Sequence, residues 1–279
     1  SRSTREREGK LKQPMKLIHL NVESFKYFDA LVDFLESEKP DILSLVEVTD
    51  GSFFGPQWGE RRDYVGELSR KFGWNSVFHP TVFRDMIGYK IALWAGVLSR
   101  FPLVVENQQY FGEQSPTIVP NDSISFSDKP KYERYPYAWK WSLPFLVTKV
   151  QTERWLIRLL TVHFHVSYDC LETLQIWQDA ERVVEYLNAH DDMPTILTGD
   201  FNIRNESMAV KIIREKLTQQ SESFINTLCR SIHPYFQRIP HGEWLGIDHI
   251  FTKNVSVLSC DVRDVAVSDH LPLVLDFSL

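Results

Sequence analysis

Cysteine is scarce in this sequence: three among 279 residues, at positions 170, 229 and 260. They are too far apart for a zinc-ligand pattern, and an odd, scattered set builds no disulfide framework, so a reducing, cytoplasmic setting is expected. No apolar run approaches the roughly 20 residues of a bilayer span, so no membrane insertion is expected. No charged start followed by an apolar stretch suggests a secretory leader. Net positive charge is lacking too. The formal charge of −6 argues against a broad basic groove for nucleic acid. It argues only weakly against a nucleic-acid substrate, because a metal ion supplies local positive charge at an acidic site. There is no short-period repeat, no low-complexity tract and no sign of an obligate protein partner.

Hydrophobic residues make up 43% of the chain, enough for a sizeable core in one α/β domain. The first 14 residues, "SRSTREREGKLKQP", are polar and charged. They read as a flexible tail or as appended non-native residues, with Met15 as a native start and a single domain over 15–279. From there strand and helix signals alternate. "KLIHLNV" is a strand; Phe25, Phe28, Leu31, Val32 and Leu35 recur at helical spacing until Pro40; "DILSLVEV" is the next strand. A helix follows over 63–72, then strands "NSVFHP", "KIALWAGVLS" and "LVVENQQYF", with a turn at Phe101–Pro102 and a return strand. Residues 112–137 keep no period and read as a long loop, a length associated with function or mobility. "YAWKWSLPFLVTKV" and "RWLIRLLTVHFHV" read as paired strands. Leu171, Leu174, Trp177, Val184 and Leu187 mark the apolar side of a helix. "TILTGDFN", a helix over 208–217, and strands "IDHIFT", "VSVLSCDVRDVAV" and "LPLVLDFSL" complete the chain.

The chemistry gathers where apolar strands end. Asn21 closes "LIHLN", with Glu23 two residues on; Glu47 closes "DILSLVE"; His163 and His165 close "RLLTVHFH". Asp200 and Asn202 close "TILTGDFN", Asp248 opens "DHIF", and Asp269 and His270 precede "LPLVLDF". Strand side chains alternate, so Asp200 and Asn202 share a face while Phe201 points into the apolar layer; Gly199 reads as the residue that allows a close turn. One polar residue at a strand end is usually a turn former or cap. Six strands ending this way would be costly if each group were buried alone, and reasonable if they converge on a cation and an anionic group. Carboxylates and amides are hard oxygen donors that suit Mg²⁺ or Mn²⁺. A second carboxylate could activate water, and a histidine held by an aspartate could stabilise charge on a phosphoryl group.

The ordered motifs "HLNVE", "SLVEV", "GVLSRFPL", "TVHFHVS", "LTGDFNI", "GIDHIF" and "VSDHLPLV" resemble the endonuclease/exonuclease/phosphatase superfamily, in the style of a bacterial-type member. That group includes apurinic-site endonucleases, pancreatic-type deoxyribonuclease, inositol polyphosphate 5-phosphatases, neutral sphingomyelinases and poly(A) deadenylases. The resemblance implies a DNase I-like four-layer α/β sandwich, two packed mixed β-sheets flanked by helices. It implies Glu47 as main magnesium ligand, with Asn21, Asp269 and Glu23 near the metal. It implies Asp200 as the residue that orients or activates water, Asn202 as a phosphate contact, and Asp248 as the holder of His270 at the scissile phosphate. His163 would face the phosphate and assist the leaving group, with His165 a competitor placed as a substrate contact. Val46 stands where the family often has Gln, and should face the core.

The resemblance implies a phosphate-ester substrate. Arg204, just after "GDFNI", should lie near the sheet's end, and Trp244 suits either stacking on a base or sugar or ordinary packing, as do Trp139 and Trp141. The expected activity is Mg²⁺- or Mn²⁺-dependent hydrolysis of a phosphodiester, in nucleic acid or a nucleotide-like molecule. The alternatives are a phosphatase or phosphodiesterase of small phosphorylated polyols or lipid headgroups, and a catalytically inactive binding protein of the same fold.

Overall fold

The first and last described strands lie side by side. In the computed structural model, which describes residues 14–49, 62–86, 89–111, 117–119, 143–166, 170–238 and 245–279, β1 (Met15–Asn21) sits between β13 (Leu273–Ser278), antiparallel, and β2 (Ile42–Val48), parallel. Around this trio grows a seven-stranded mixed sheet. It also contains β3 (Asn75–Met86), β4 (Tyr89–Ser99), β6 (Thr117–Val119) and β12 (Ser256–Val262), in the order β12-β13-β1-β2-β4-β3-β6.

A second, six-stranded mixed sheet packs on the first. It comprises β5 (Leu103–Phe111), β7 (Leu143–Gln151), β8 (Leu156–His163), β9 (Thr195–Asp200), β10 (Thr218–Gln219) and β11 (Asp248–Lys253), in the order β10-β11-β9-β8-β7-β5. The Phe101–Pro102 turn is therefore not a hairpin. β4 pairs with β2 and β3, whereas β5 crosses to the other sheet and pairs with β7. Two strands read as neighbours from a short turn are thus separated, β4 lying between β2 and β3 and β5 at the edge of the other sheet.

Period-two alternation sorts the side chains into layers. From β1 and β2, Leu17, Ile42 and Val46 enter the inter-sheet core, where they meet Leu159, Ile196 and Ile250 of the second sheet. Val46 is fully buried there. The opposite faces of β1 and β2 carry Ile18, Leu20, Leu43 and Leu45, which pack under α1 (Phe28–Glu38) and α2 (Tyr64–Phe72). The outer face of the second sheet, with Leu160, Val162, Leu197 and Phe251, is covered by α3 (Leu174–Ala189) and α4 (Met208–Arg214). The layers thus run helix, sheet, sheet, helix. α5 (Pro234–Arg238) belongs to a smaller cluster with Leu228, Phe236, Leu245 and Ile247.

Local chemistry explains the helix ends. Asp63, Thr173 and Ser207 each accept a hydrogen bond from a first-turn N–H of α2, α3 and α4. α1 ends at Lys39 in the left-handed conformation, just before Pro40. It begins at Phe28, later than the apolar spacing implied, because Glu23–Phe25 form a separate 3₁₀ turn with positive φ. The face of α3 is also rotated from the sequence expectation. Ile176, Ala180, Val183, Tyr186 and Leu187 are buried, while Leu171 and Leu174 are 64% and 71% exposed. Within the 112–137 excursion, 117–119 adds a short strand parallel to β3; the rest of it lies outside the described residues.

Candidate active site

Asp200 is placed by strand register. At the end of β9 it stands opposite His163 of β8 on one side and opposite Asp248 of β11 on the other. All three sit on the inter-sheet face of their strands, continuing the rows of Thr161, Thr198 and Ile250. Just below, Ser44 of β2 lies 2.8 Å from Thr161 Oγ1 and 2.6 Å from Thr198 Oγ1, pinning the two sheets together by buried hydroxyls. At the same level Asn21, ending β1, donates Nδ2–H to Asp200 Oδ2 across the sheets at 3.2 Å.

Gly199 has a different duty from a turn. It lies within β9, and a Cβ there would fall 2.2 Å from the Val162 carbonyl oxygen of β8. The residue is small because two backbones approach closely. Past the strand, Phe201 enters the apolar layer. Asn202 adopts φ 52°, giving its N–H to Asp200 Oδ1 at 2.9 Å and its Nδ2–H to Phe164 O at 3.0 Å. His249 pins the same loop from the outer face, with Nε2 2.9 Å from Ile203 O; burial lowers its pKa to about 4, so the ring is neutral.

Asp248 holds His270, as Nδ1 of the imidazole lies 2.8 Å from Asp248 Oδ2. The same oxygen accepts a 2.6 Å hydrogen bond from Thr227 Oγ1, which in turn accepts the backbone N–H groups of Ile247 and Asp248. The other ring nitrogen, His270 Nε2, lies 3.8 Å from Asp200 Oδ2, and His163 Nε2 lies 3.7 Å from that same oxygen. Ligand atoms of Asp200, Asp248 and His270 fall within 4.8 Å of one another, as do those of His233, Asp269 and His270.

The acidic residues gather beside this cluster. Burial, opposed by His270 but reinforced by the charges of Glu47 and Glu23, pushes the Asp269 carboxyl up to about 7. Three carboxylates therefore share one neighbourhood. Glu47 reaches it through a register shift between Leu45 and Val48, with φ 55°, a conformation few side chains adopt without support. Glu23 binds Lys26 through Oε1, at 3.0 Å, while its Oε2 is buried without a hydrogen-bond partner.

The profile of the Endonuclease/Exonuclease/phosphatase family matches residues 18–270. The chain belongs to this family. Among solved structures, an endonuclease/exonuclease/phosphatase from Bacteroides vulgatus is similar at 18% identity, with a TM-score of 0.66 over 96% of this chain and 100% of that one. A mannosyl-6-phosphatase from Bacteroides thetaiotaomicron is similar at 15% identity, TM-score 0.64, over 95% and 100%. D. rerio TDP2 complexed with single-strand DNA product is similar at 14% identity, TM-score 0.63, over 96% and 100%. No curated protein matches in sequence. The DNase I-like sandwich of the family is the fold described above.

In this family member the residues singled out from sequence converge, with exceptions. Asn21, His163, Asp200, Asn202, Asp248, Asp269 and His270 form the cluster, and Glu23 and Glu47 adjoin it. His165 lies just past the end of β8, and its Nδ1 lies 2.8 Å from Asp179 Oδ2 of α3, in the outer layer. The alternation that would have put it beside His163 stops with the strand. Arg204 is half-buried in the loop after β9. Trp244, Trp139 and Trp141 lie outside the described residues. Three residues were missed: Thr227 and His233, from a stretch with no periodic signal, and His19, whose place two residues before Asn21 on the same strand face could have revealed it.

Electrostatics separate the acids. Burial and the neighbouring Asp248 charge raise Asp200, against the pull of His270 and His163. Burial would raise Asp248 as well, but the charge and hydrogen bond of His270, with the nearby His19 ring, outweigh it and hold that carboxyl well below the usual range. Burial disfavours charge on His270, yet Asp248 and Asp200 overcome it and raise its pKa well above the ordinary imidazole value. One carboxylate is thus a firm anion and its cross-strand neighbour a stronger base than usual.

Proposed function

We propose that the chain is a divalent-metal-dependent phosphoesterase that hydrolyses a phosphodiester in nucleic acid or a nucleotide-like molecule. The observation that carries this reading is the meeting of His163, Asp200, Asp248 and His270 on the inter-sheet side at one end of the sandwich, beside Asn21 and three carboxylates. Family membership supports the reaction class, and a phosphatase and a DNA-product complex stand among the similar folds.

The donor set fits a hard dication. Glu47, Glu23 and Asp269 are close enough to repel, and the buried Glu23 Oε2 lacks a partner. These residues, with Asn21, would hold Mg²⁺ or Mn²⁺. When bound, the ion supplies charge neutralisation for the phosphate oxygens.

The chain's own groups do the rest. Asn21 and the Asn202 N–H fix both Asp200 oxygens, so the carboxylate is oriented to take a proton from the attacking water. His270 gives its Nδ1–H to Asp248, and as imidazolium it offers Nε2–H to the phosphoryl oxygen. His163, on the neighbouring strand, faces the leaving group, and Asn202 and Arg204 contact the phosphate or its flanks.

The deciding experiment is turnover of bis(p-nitrophenyl) phosphate and of the monoester, each with Mg²⁺, followed by single-stranded DNA, abasic duplex, RNA, inositol phosphates and sphingomyelin. Cleavage of the diester, lost in Asp200→Asn and His270→Ala, is expected. Turnover of the monoester alone would replace the diesterase reading with a phosphatase. No turnover of any substrate would leave a binding protein.

A further inference from the structure

Asp248 uses only one of its two oxygens. Thr227 and His270 both bond to Oδ2, and Oδ1 has no hydrogen-bond partner. Opposite it, at 3.6 Å, lies Nε2 of His19. His19 is completely buried, and neither of its ring nitrogens has a partner. It sits on β1 on the same face as Asn21, so the strand that delivers Asn21 to Asp200 also delivers an imidazole to Asp248.

A buried polar atom left unpaired costs free energy, and a leucine here would carry none of that cost. A closure of a few tenths of an ångström turns the contact into an N–H···O bond. We propose that His19 is a positioning residue for the reaction, donating Nε2–H to Asp248 Oδ1 so that Oδ2 stays turned toward Thr227 and His270. A carboxylate gripped through one oxygen can swing about its Cβ–Cγ bond. With a donor on each oxygen its plane is fixed, and so is the ring of His270. His19 touches no reacting atom and acts through Asp248. The inference rests on the proposed function only where it assigns His270 to the phosphate.

The test compares His19→Gln with His19→Met, which match in length and differ in the donor. Outer partners that orient metal-bound histidines are worth about 10- to 100-fold in affinity or activity, and an effect of the same order is expected for an outer partner of His270. The methionine variant should therefore lose about that factor in kcat with KM within about twofold, and the glutamine variant should recover most of it. The NMR resonance of the His270 Nδ1 proton, assigned by its loss in His270→Ala, should move in the methionine variant and stay near its wild-type place in the glutamine variant. Equal kcat and an unmoved resonance in both variants overturn the proposal. In wild-type protein, ¹⁵N shifts of His19 must show the proton on Nε2. A proton on Nδ1 alone overturns the proposal even if neither variant folds. Because the NMR measurements need no substrate, inactivity toward every phosphoester would count against the proposed function and leave this inference separately decided.

Discussion

Asp200 and Asp248 stand directly opposite each other on β9 and β11, two buried carboxylates in cross-strand register. Like charges so placed destabilise a sheet unless something intervenes. Here His270 intervenes, bonded to one and 3.8 Å from the other. Asp200→Asn removes the repulsion and the base together. It should lower kcat by about 10²- to 10⁴-fold, with melting temperature close to wild type, because the amide also turns an NH2 toward one of the two N–H donors that Asp200 accepts. Steady-state kinetics and calorimetry on the same preparation check both halves.

Thr227 bridges Asp248 Oδ2 and the backbone N–H groups of Ile247 and Asp248. Thr227→Val keeps the shape and deletes every one of these bonds. We expect a loss of about 1–3 kcal/mol in urea unfolding. Thr227→Ser should restore most of it.

Metal removal should act on the acidic corner. With chelator the protein should be inactive and melt lower; Mg²⁺ should restore both, since a ligand bound only by the folded state raises stability by mass action. Glu47→Gln should raise the Mg²⁺ concentration needed for half the thermal shift. A melting temperature indifferent to Mg²⁺, with full activity in chelator, would remove the metal from the proposal.

Gly199→Ala tests the close approach of β8 and β9. The added methyl would meet the Val162 carbonyl oxygen at 2.2 Å and Val162 Cγ2 at 2.5 Å. Such overlap in a packed layer costs typically about 1–3 kcal/mol or more. The variant should show a clearly lower urea midpoint, with activity reduced because Asp200 is next in the strand.

Acid sensitivity should trace to Glu106, which binds Arg158 through both oxygens and also meets Lys149. The hydrogen bonds to Arg158, against the opposing effect of burial, lower its pKa to about 2. A depressed carboxylate pKa contributes stability above the unfolded value near 4.5, lost as pH falls through the folded value. Stability should therefore decline between those two pH values, by about 1–2 kcal/mol from this group after solvent screening. In Glu106→Gln that part of the decline should vanish, as read by urea unfolding at a series of pH values.

The residues of the site were largely legible in the sequence because period-two alternation is local. Asn21, His163, Asp200 and Asp248 each occupy the strand-end position, on the inter-sheet face, that the pattern assigns them. Where the regular strand ends, that reading fails. His165 leaves β8 and turns to Asp179, whereas Glu47, inside β2, still reaches the acidic corner through a shift in register. The apolar stripe of α3 was misread because Leu171 and Leu174 are exposed while Ile176 and Tyr186 face the sheet.

What the chain alone determined is the alternation of strand and helix, the polar residues at the ends of six strands, and the family those motifs mark. What only the tertiary structure decided is which strands became neighbours. It sent β5 to the opposite sheet from β4, put His19 against Asp248, and made Gly199 a point of contact between backbones. The reason is that backbone geometry is set by adjacent residues, whereas pairing and layer are set by apolar burial summed over residues far apart in the chain.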